Sequence, residues 1–151
     1  MVVVIAILAA ITIVSFNGIQ NRAKDAQLIS AVNEYVKGIK AYQNTKGAIP
    51  YTAIACFDGT ACWGGSSTIV AEALRTELRT VMGQSLPTIP TPYAALLASG
   101  STPDTPNGGT YTGLYVLYQH SDSGSCQSIG SARYLNTGFS SGLRTCRAAI
   151  E

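Results

Sequence analysis

The distribution of apolar residues changes character along this chain. From Met1 to Phe16 the sequence MVVVIAILAAITIVSF carries no charge, and Thr12 and Ser15 are its only polar residues. From Ala23 to Thr45 the apolar positions thin to a stripe. Leu28, Val32, Tyr35, Ile39 and Tyr42 recur at spacings of four, three, four and three, and Ile29 and Val36 widen the stripe. Lys24, Asp25, Asn33, Glu34, Lys37 and Gln43 fall mostly elsewhere, so the pattern predicts an amphipathic helix with one buried face. Lys46-Gly47, with Pro50 beyond, supplies a stop signal. The two stretches together predict one helix of about 40 residues and about 60 Å, wholly apolar at its start and amphipathic at its end.

Beyond Gly47 the pattern breaks into short segments. Ala48 to Gly65 reads as loop, with a turn at Asp58-Gly59 between Cys56 and Cys62 and an aromatic anchor, Trp63, after it. Ser66 to Gly83 reads as a second helix, with Ile69, Val70, Ala73, Leu74, Leu78, Val81 and Met82 on its apolar face. Pro87, Pro90 and Pro92 exclude regular helix or central strand between Leu86 and Pro92. Tyr93 to Ser99 is expected to form a short helical turn, and Gly100 to Gly109, rich in Ser, Thr, Pro, Asn and Gly, a surface loop. Thr110 to His120 alternates apolar residues on both faces: Tyr111, Gly113, Tyr115, Leu117 and Gln119 on one, Leu114, Val116 and Tyr118 on the other. This predicts a central strand. Ser131 to Thr137 and Leu143 to Ile150 follow as further strands, with turns between them, which predicts an antiparallel meander. The expected fold class is α+β, with the long N-terminal helix laying its Leu28/Val32/Tyr35/Ile39/Tyr42 face on the C-terminal antiparallel sheet. The expected organisation is an apolar segment over residues 1–22 and a globular domain over 23–151.

Composition narrows the function. Only 12% of the 151 residues are charged and the net charge is +2. No run of like charge offers a footprint for nucleic acid. One histidine, His120, leaves little room for a Ser/His/Asp or Cys/His constellation, and its place at a strand end before a turn predicts a solvated side chain. No phosphate loop or dinucleotide fingerprint occurs. Asp58, Asp104, Asp122 and Asn107 lie in predicted loops without the spacing of a calcium loop. The expectation is therefore of a protein that is not an enzyme and uses no cofactor. The cysteines, Cys56, Cys62, Cys126 and Cys146, have spacings that match no zinc motif, and their even number suits two disulfides in an oxidising compartment. A Cys56–Cys62 bridge would close a small loop. Pairing of Cys56 with Cys126 or Cys146 stays open, because sequence does not fix connectivity.

The apolar first half of the long helix poses a burial problem. A domain of this size has no core of that length, so this half must be covered by lipid or by copies of itself. Its 16 residues rise about 24 Å, short of the roughly 20 residues that cross about 30 Å of hydrocarbon.

The stretch VVVIAILAAITIVSFNGIQNRAKDAQ closely resembles the N-terminal helix of type IV pilins. ILAAI, Ile7 to Ile11, is typical of that family, and ITIVSFNGIQNRA is similar to pilins of Gram-positive and related monoderm bacteria. The resemblance covers roughly the first 30 residues; beyond them only the architecture is similar. Aligned on ILAAI, the family pattern places about eight mature residues before Met1, which agrees with the shortfall in span. The expectation is thus of an incomplete or displaced start. The family's peptidase site, methylated aromatic residue and glutamate are carried over to no residue here.

The resemblance implies a major structural subunit that sits in the cytoplasmic membrane by a single pass, then polymerises with its own copies into an extracellular pilus with the help of pilus assembly machinery. Such filaments serve twitching, adhesion or DNA uptake. In the filament core Val2, Val3, Val4, Ile5, Ile7, Leu8, Ile11, Ile13 and Val14 would pack, with Ala6, Ala9 and Ala10 allowing close helix approach. Many pilins break this helix at a proline. Here Asn17-Gly18 is the weak point, so a helix melted between Thr12 and Gly18 stands against an unbroken helix that tolerates one glycine. The resemblance also implies a Cys126–Cys146 bridge, like the C-terminal disulfide loop of many pilins. A pseudopilin or minor pilin of a type II secretion or competence system, and a monomeric membrane-anchored binding domain, are the alternatives.

Overall fold

The computed structural model describes residues 2–50, 54–57, 71–121, 126, 128–140 and 142–151, with side chains of residues 2, 4–17, 71 and 140 left aside. The fold is α+β. Helix α1 (Val2–Lys46) is followed by strand β1 (Ala55–Cys56), helix α2 (Ala71–Met82), then β2 (Ala95–Pro103), β3 (Thr110–His120), β4 (Arg133–Ser140) and β5 (Leu143–Ala149). The strands form one antiparallel sheet in the order β1-β2-β3-β5-β4.

Helix α1 passes through Asn17-Gly18 without interruption. It stops where the sequence stops it: Gly47 takes a left-handed backbone (φ 65°), and its N–H donates to the Gln43 carbonyl at 2.8 Å. A residue with a Cβ resists that conformation, so glycine ends the helix. Gly83 closes α2 in the same way, with φ 89° and a 3.1 Å bond to Arg79. Of the predicted second helix, 71–82 is helical, and 66–70 lies outside the described residues, as do Asp58-Gly59, Cys62 and Trp63.

The expected central strand is β3, third of five. Its Leu114, Val116 and Tyr118 join Leu28, Val32, Tyr35, Val36, Ile39 and Tyr42 of α1 in the main core, together with Leu74 and Leu78 of α2. Its other face holds Leu117 in a smaller cluster with Cys56, Leu96 and Ala98.

The sheet differs from the expected meander in two respects. Residues 93–99 do not form a helical turn, nor is the whole of 100–109 a loop, because Ala95–Pro103 is strand β2. It pairs with β3 from Ala95↔Tyr118 to Pro103↔Thr110. Ala and Leu lean towards helix by local propensity. Here nine cross-strand pairs and burial of both faces at Ala95–Ala98 override that preference. Second, β4 does not pair with β3; β5 lies between them. The burial of each strand explains the order. Thr145, Cys146, Ala148 and Ala149 of β5 are all buried, on both faces, as an interior strand requires. β4 exposes Thr137 and Phe139 and takes the edge.

That edge is partly covered. The end of the β2–β3 hairpin curls over it, so that the Thr105 N–H donates to the Leu135 carbonyl at 2.9 Å. Leu135 sits at the register shift between Tyr134 and Asn136. The Asn136 amide donates to Thr102 Oγ1 at 3.1 Å and to the Pro103 carbonyl.

Candidate functional site

Along α1 the environment changes within two turns. Gly18, Ile19, Gln20, Asn21, Arg22 and Ala23 are exposed, with Ile19 at 65%. Lys24 and Asp25 begin to be covered, and Leu28 is fully buried. The helix therefore leaves the domain near Asp25, with every residue from Gly18 to Ala23 exposed. At that exit Asp25 accepts hydrogen bonds from the Ser121 N–H (3.1 Å) and Oγ–H (2.8 Å). Tyr93 lies beside them; burial pushes its phenol above the ordinary value, and the Asp25 carboxylate adds to the shift while Ser121 opposes it.

The five residues expected to pack on the sheet, Leu28, Val32, Tyr35, Ile39 and Tyr42, are all buried in the main core. Two of them reach beyond the sheet. The Tyr35 ring stacks on Phe57 with centroids 4.2 Å apart, and its hydroxyl lies within reach of the Phe57 and Pro87 carbonyls (3.0 and 2.7 Å). Tyr42 donates to Glu77 of α2 at 2.7 Å. Sequence periodicity marks such residues as buried without saying which neighbour covers them. α2 comes close at Gly38, where an added Cβ would collide with the Met82 side chain.

Of the residues expected to pack in a filament core, Val3 is 70% exposed. Val2, Val4, Ile5, Ile7, Leu8, Ile11, Ile13 and Val14 lie in helix, and their side chains fall outside the described residues, as do those of Thr12 and Asn17. Each apolar side chain left in water forgoes about 1.5–3 kcal/mol of burial. Among the described residues no helix is long and apolar enough to cross a membrane.

Cys126 and Cys146 are joined in a disulfide with Cα atoms 5.6 Å apart. Cys56 is also disulfide-bonded, and its expected partner Cys62 lies outside the described residues. His120 is not solvated as its place at a strand end suggested. It is 6% exposed, its ring runs alongside Tyr118, and Nε2 lies 3.3 Å from Cys146 Sγ. The sheet register does this: His120 pairs with Arg144 and Tyr118 with Cys146, so the imidazole and the sulfur share the helix-facing side.

A charged network, which the sequence did not mark, ties the chain end to the β2–β3 hairpin. Arg133 donates to Asp104 and to Glu151, each at 2.9 Å, and Asn107 donates to Asp104. Burial alone would push the Asp104 carboxyl up, but hydrogen bonds from Arg133 and Asn107 and the Arg133 charge outweigh it and hold the carboxyl below its ordinary value.

Comparison of the chain with protein-family models, with curated proteins and with solved structures finds no match.

Proposed function

We propose that this chain is a type IV pilin-type subunit, which polymerises through the apolar first half of α1 into an extracellular filament. The observation that carries the reading is the division of one continuous helix. Val2–Lys46 is a single element, packed into the domain from Leu28 onward and exposed over Gly18–Ala23 and at Val3. The first half has an uncharged sequence up to Phe16. Such a surface is stable only when covered. Lipid covers it before assembly and neighbouring copies cover it afterwards. Transfer between the two is feasible because both are apolar and helical backbone hydrogen bonds stay within the segment. The pilin-like N-terminal sequence and the five-stranded antiparallel sheet support the same reading. Motility, adhesion or DNA uptake, and the assembly machinery as partner, follow from the resemblance.

A charge placed in the first half tests this. Ile11→Asp should abolish recovery of the chain in filaments sheared from producing cells, and it should leave the domain folded, since the domain's core begins only at Leu28. A carboxylate costs several kcal/mol in a dry interface. Unchanged recovery of the variant in filaments would refute the proposed packing. If the wild-type chain stays a dispersed membrane protein, the anchored binding domain takes its place.

A further inference from the structure

We propose that reduction of the Cys126–Cys146 disulfide turns it, with His120, into a three-ligand site for a thiophilic divalent cation such as Zn²⁺. The His120, Cys126 and Cys146 ligand atoms all lie within 4.8 Å of one another. His120 Nε2 is 3.3 Å from Cys146 Sγ, and His120 and Cys146 are buried while Cys126 is partly exposed. A Cys₂His set with an open fourth position is a known zinc environment, with Zn–S about 2.3 Å and Zn–N about 2.0 Å. Around a tetrahedral ion those bond lengths place the two sulfurs roughly 3.8 Å apart. Cα atoms 5.6 Å apart accommodate that by side-chain rotation. His120 and Cys146 are held on paired strands β3 and β5, so part of the ligand set is positioned before the ion arrives.

The chemistry balances with an external dithiol as reductant. Its thiolate attacks the more accessible Cys126 sulfur, and the S–S bond breaks with Cys146 leaving as thiolate. The second thiol of the reductant then displaces Cys126. Two electrons and two protons pass to the protein, giving two thiols, and the reductant leaves as a disulfide. The cation then displaces both thiol protons and takes the imidazole nitrogen as its third ligand. In the oxidised chain the sulfurs are bonded to each other and no thiolate is offered, so cation binding reports the redox state. This inference rests on the sulfur and imidazole geometry and not on the filament reading; it applies where a dithiol reductant reaches the chain, not to the oxidised extracellular filament.

The test is an anaerobic titration with Co²⁺ of the full chain, oxidised and after reduction by a phosphine, following the thiolate-to-cobalt absorption, with circular dichroism to check the fold. The reduced chain should bind one Co²⁺ while folded, and the oxidised chain none. His120→Ala should weaken binding more than about tenfold. A double Cys56→Ala/Cys62→Ala chain, which removes the other thiols, should bind as the wild type does. The proposal is overturned if the reduced chain binds no Co²⁺, if it binds only when unfolded, if His120→Ala leaves the affinity unchanged, or if binding disappears with Cys56 and Cys62.

Discussion

The Asp25 carboxylate on α1 accepts two hydrogen bonds from Ser121, a residue 96 positions away at the end of β3. This pair pins the helix to the sheet at the point where the helix leaves the domain. Asp25→Ala should cost about 1–2 kcal/mol, the range for a hydrogen bond to a charged group moderated by partial exposure. Urea denaturation of the full chain measures it. A variant as stable as the wild type would mean that the pin contributes nothing.

Ile19 and Leu28 lie nine positions apart on one helix and should respond in opposite ways. Leu28 is fully buried and Ile19 is 65% exposed. Leu28→Ala should lower the stability of the dispersed chain by about 2–5 kcal/mol. Ile19→Ala should stay within about 0.5 kcal/mol. Comparable losses for both would place Ile19 in a core and contradict the exit of the helix near Asp25.

Gly130 joins the bridge of Ile129 and Ala132 with a left-handed backbone (φ 55°), and a Cβ there would run into Asn33 Oδ1 on α1. Gly130→Ala therefore carries a conformational cost of about 1–2 kcal/mol, plus whatever it costs the Asn33 side chain to turn aside. Gly142, at φ 76° with open space around it, is the control. Gly142→Asn should cost well under about 1 kcal/mol, since Asn tolerates this region. Thermal unfolding of the two variants compares them directly.

The Asp104 carboxyl is held below its ordinary value in the folded chain. A depressed folded pKa contributes stability that is fully present above the unfolded value of about 4 and is lost as pH falls through the lower folded value. The melting temperature of the wild type should therefore drop on acidification below about pH 4, and part of that drop should vanish in Asp104→Asn. Parallel acid limbs for the two proteins would show that the Arg133 pairing adds no stability.

Local patterns gave the helices and β3; non-local pairing gave much of the rest. The Leu28–Tyr42 stripe has a helical period that any partner surface would satisfy, so its burial was readable while Tyr42's contact with Glu77 was not. Thr110–His120 showed its central place because both faces are apolar. β2 was hidden because Ala95–Ala98 favours helix locally and becomes strand only through β3. The position of β5 between β3 and β4 depends on which strand is buried on both faces, and a hairpin seen in sequence does not say which of its strands turns inward. His120 looked solvated at a strand end. Its place beside Cys146 follows from the β3–β5 register, which brings together residues 26 positions apart. The exit of α1 at Asp25 likewise needs Ser121, which no local signal connects to it.

The most direct measurement is cryo-EM, at side-chain resolution, of filaments sheared from producing cells. The expected map has helices carrying Val2 to Val14 packed together along the filament axis and the β1-β2-β3-β5-β4 sheet outside them, and it also shows whether Thr12–Gly18 stays helical there. Filaments that lack this chain, or that place its sheet rather than its N-terminal helix at the axis, would contradict assembly through α1.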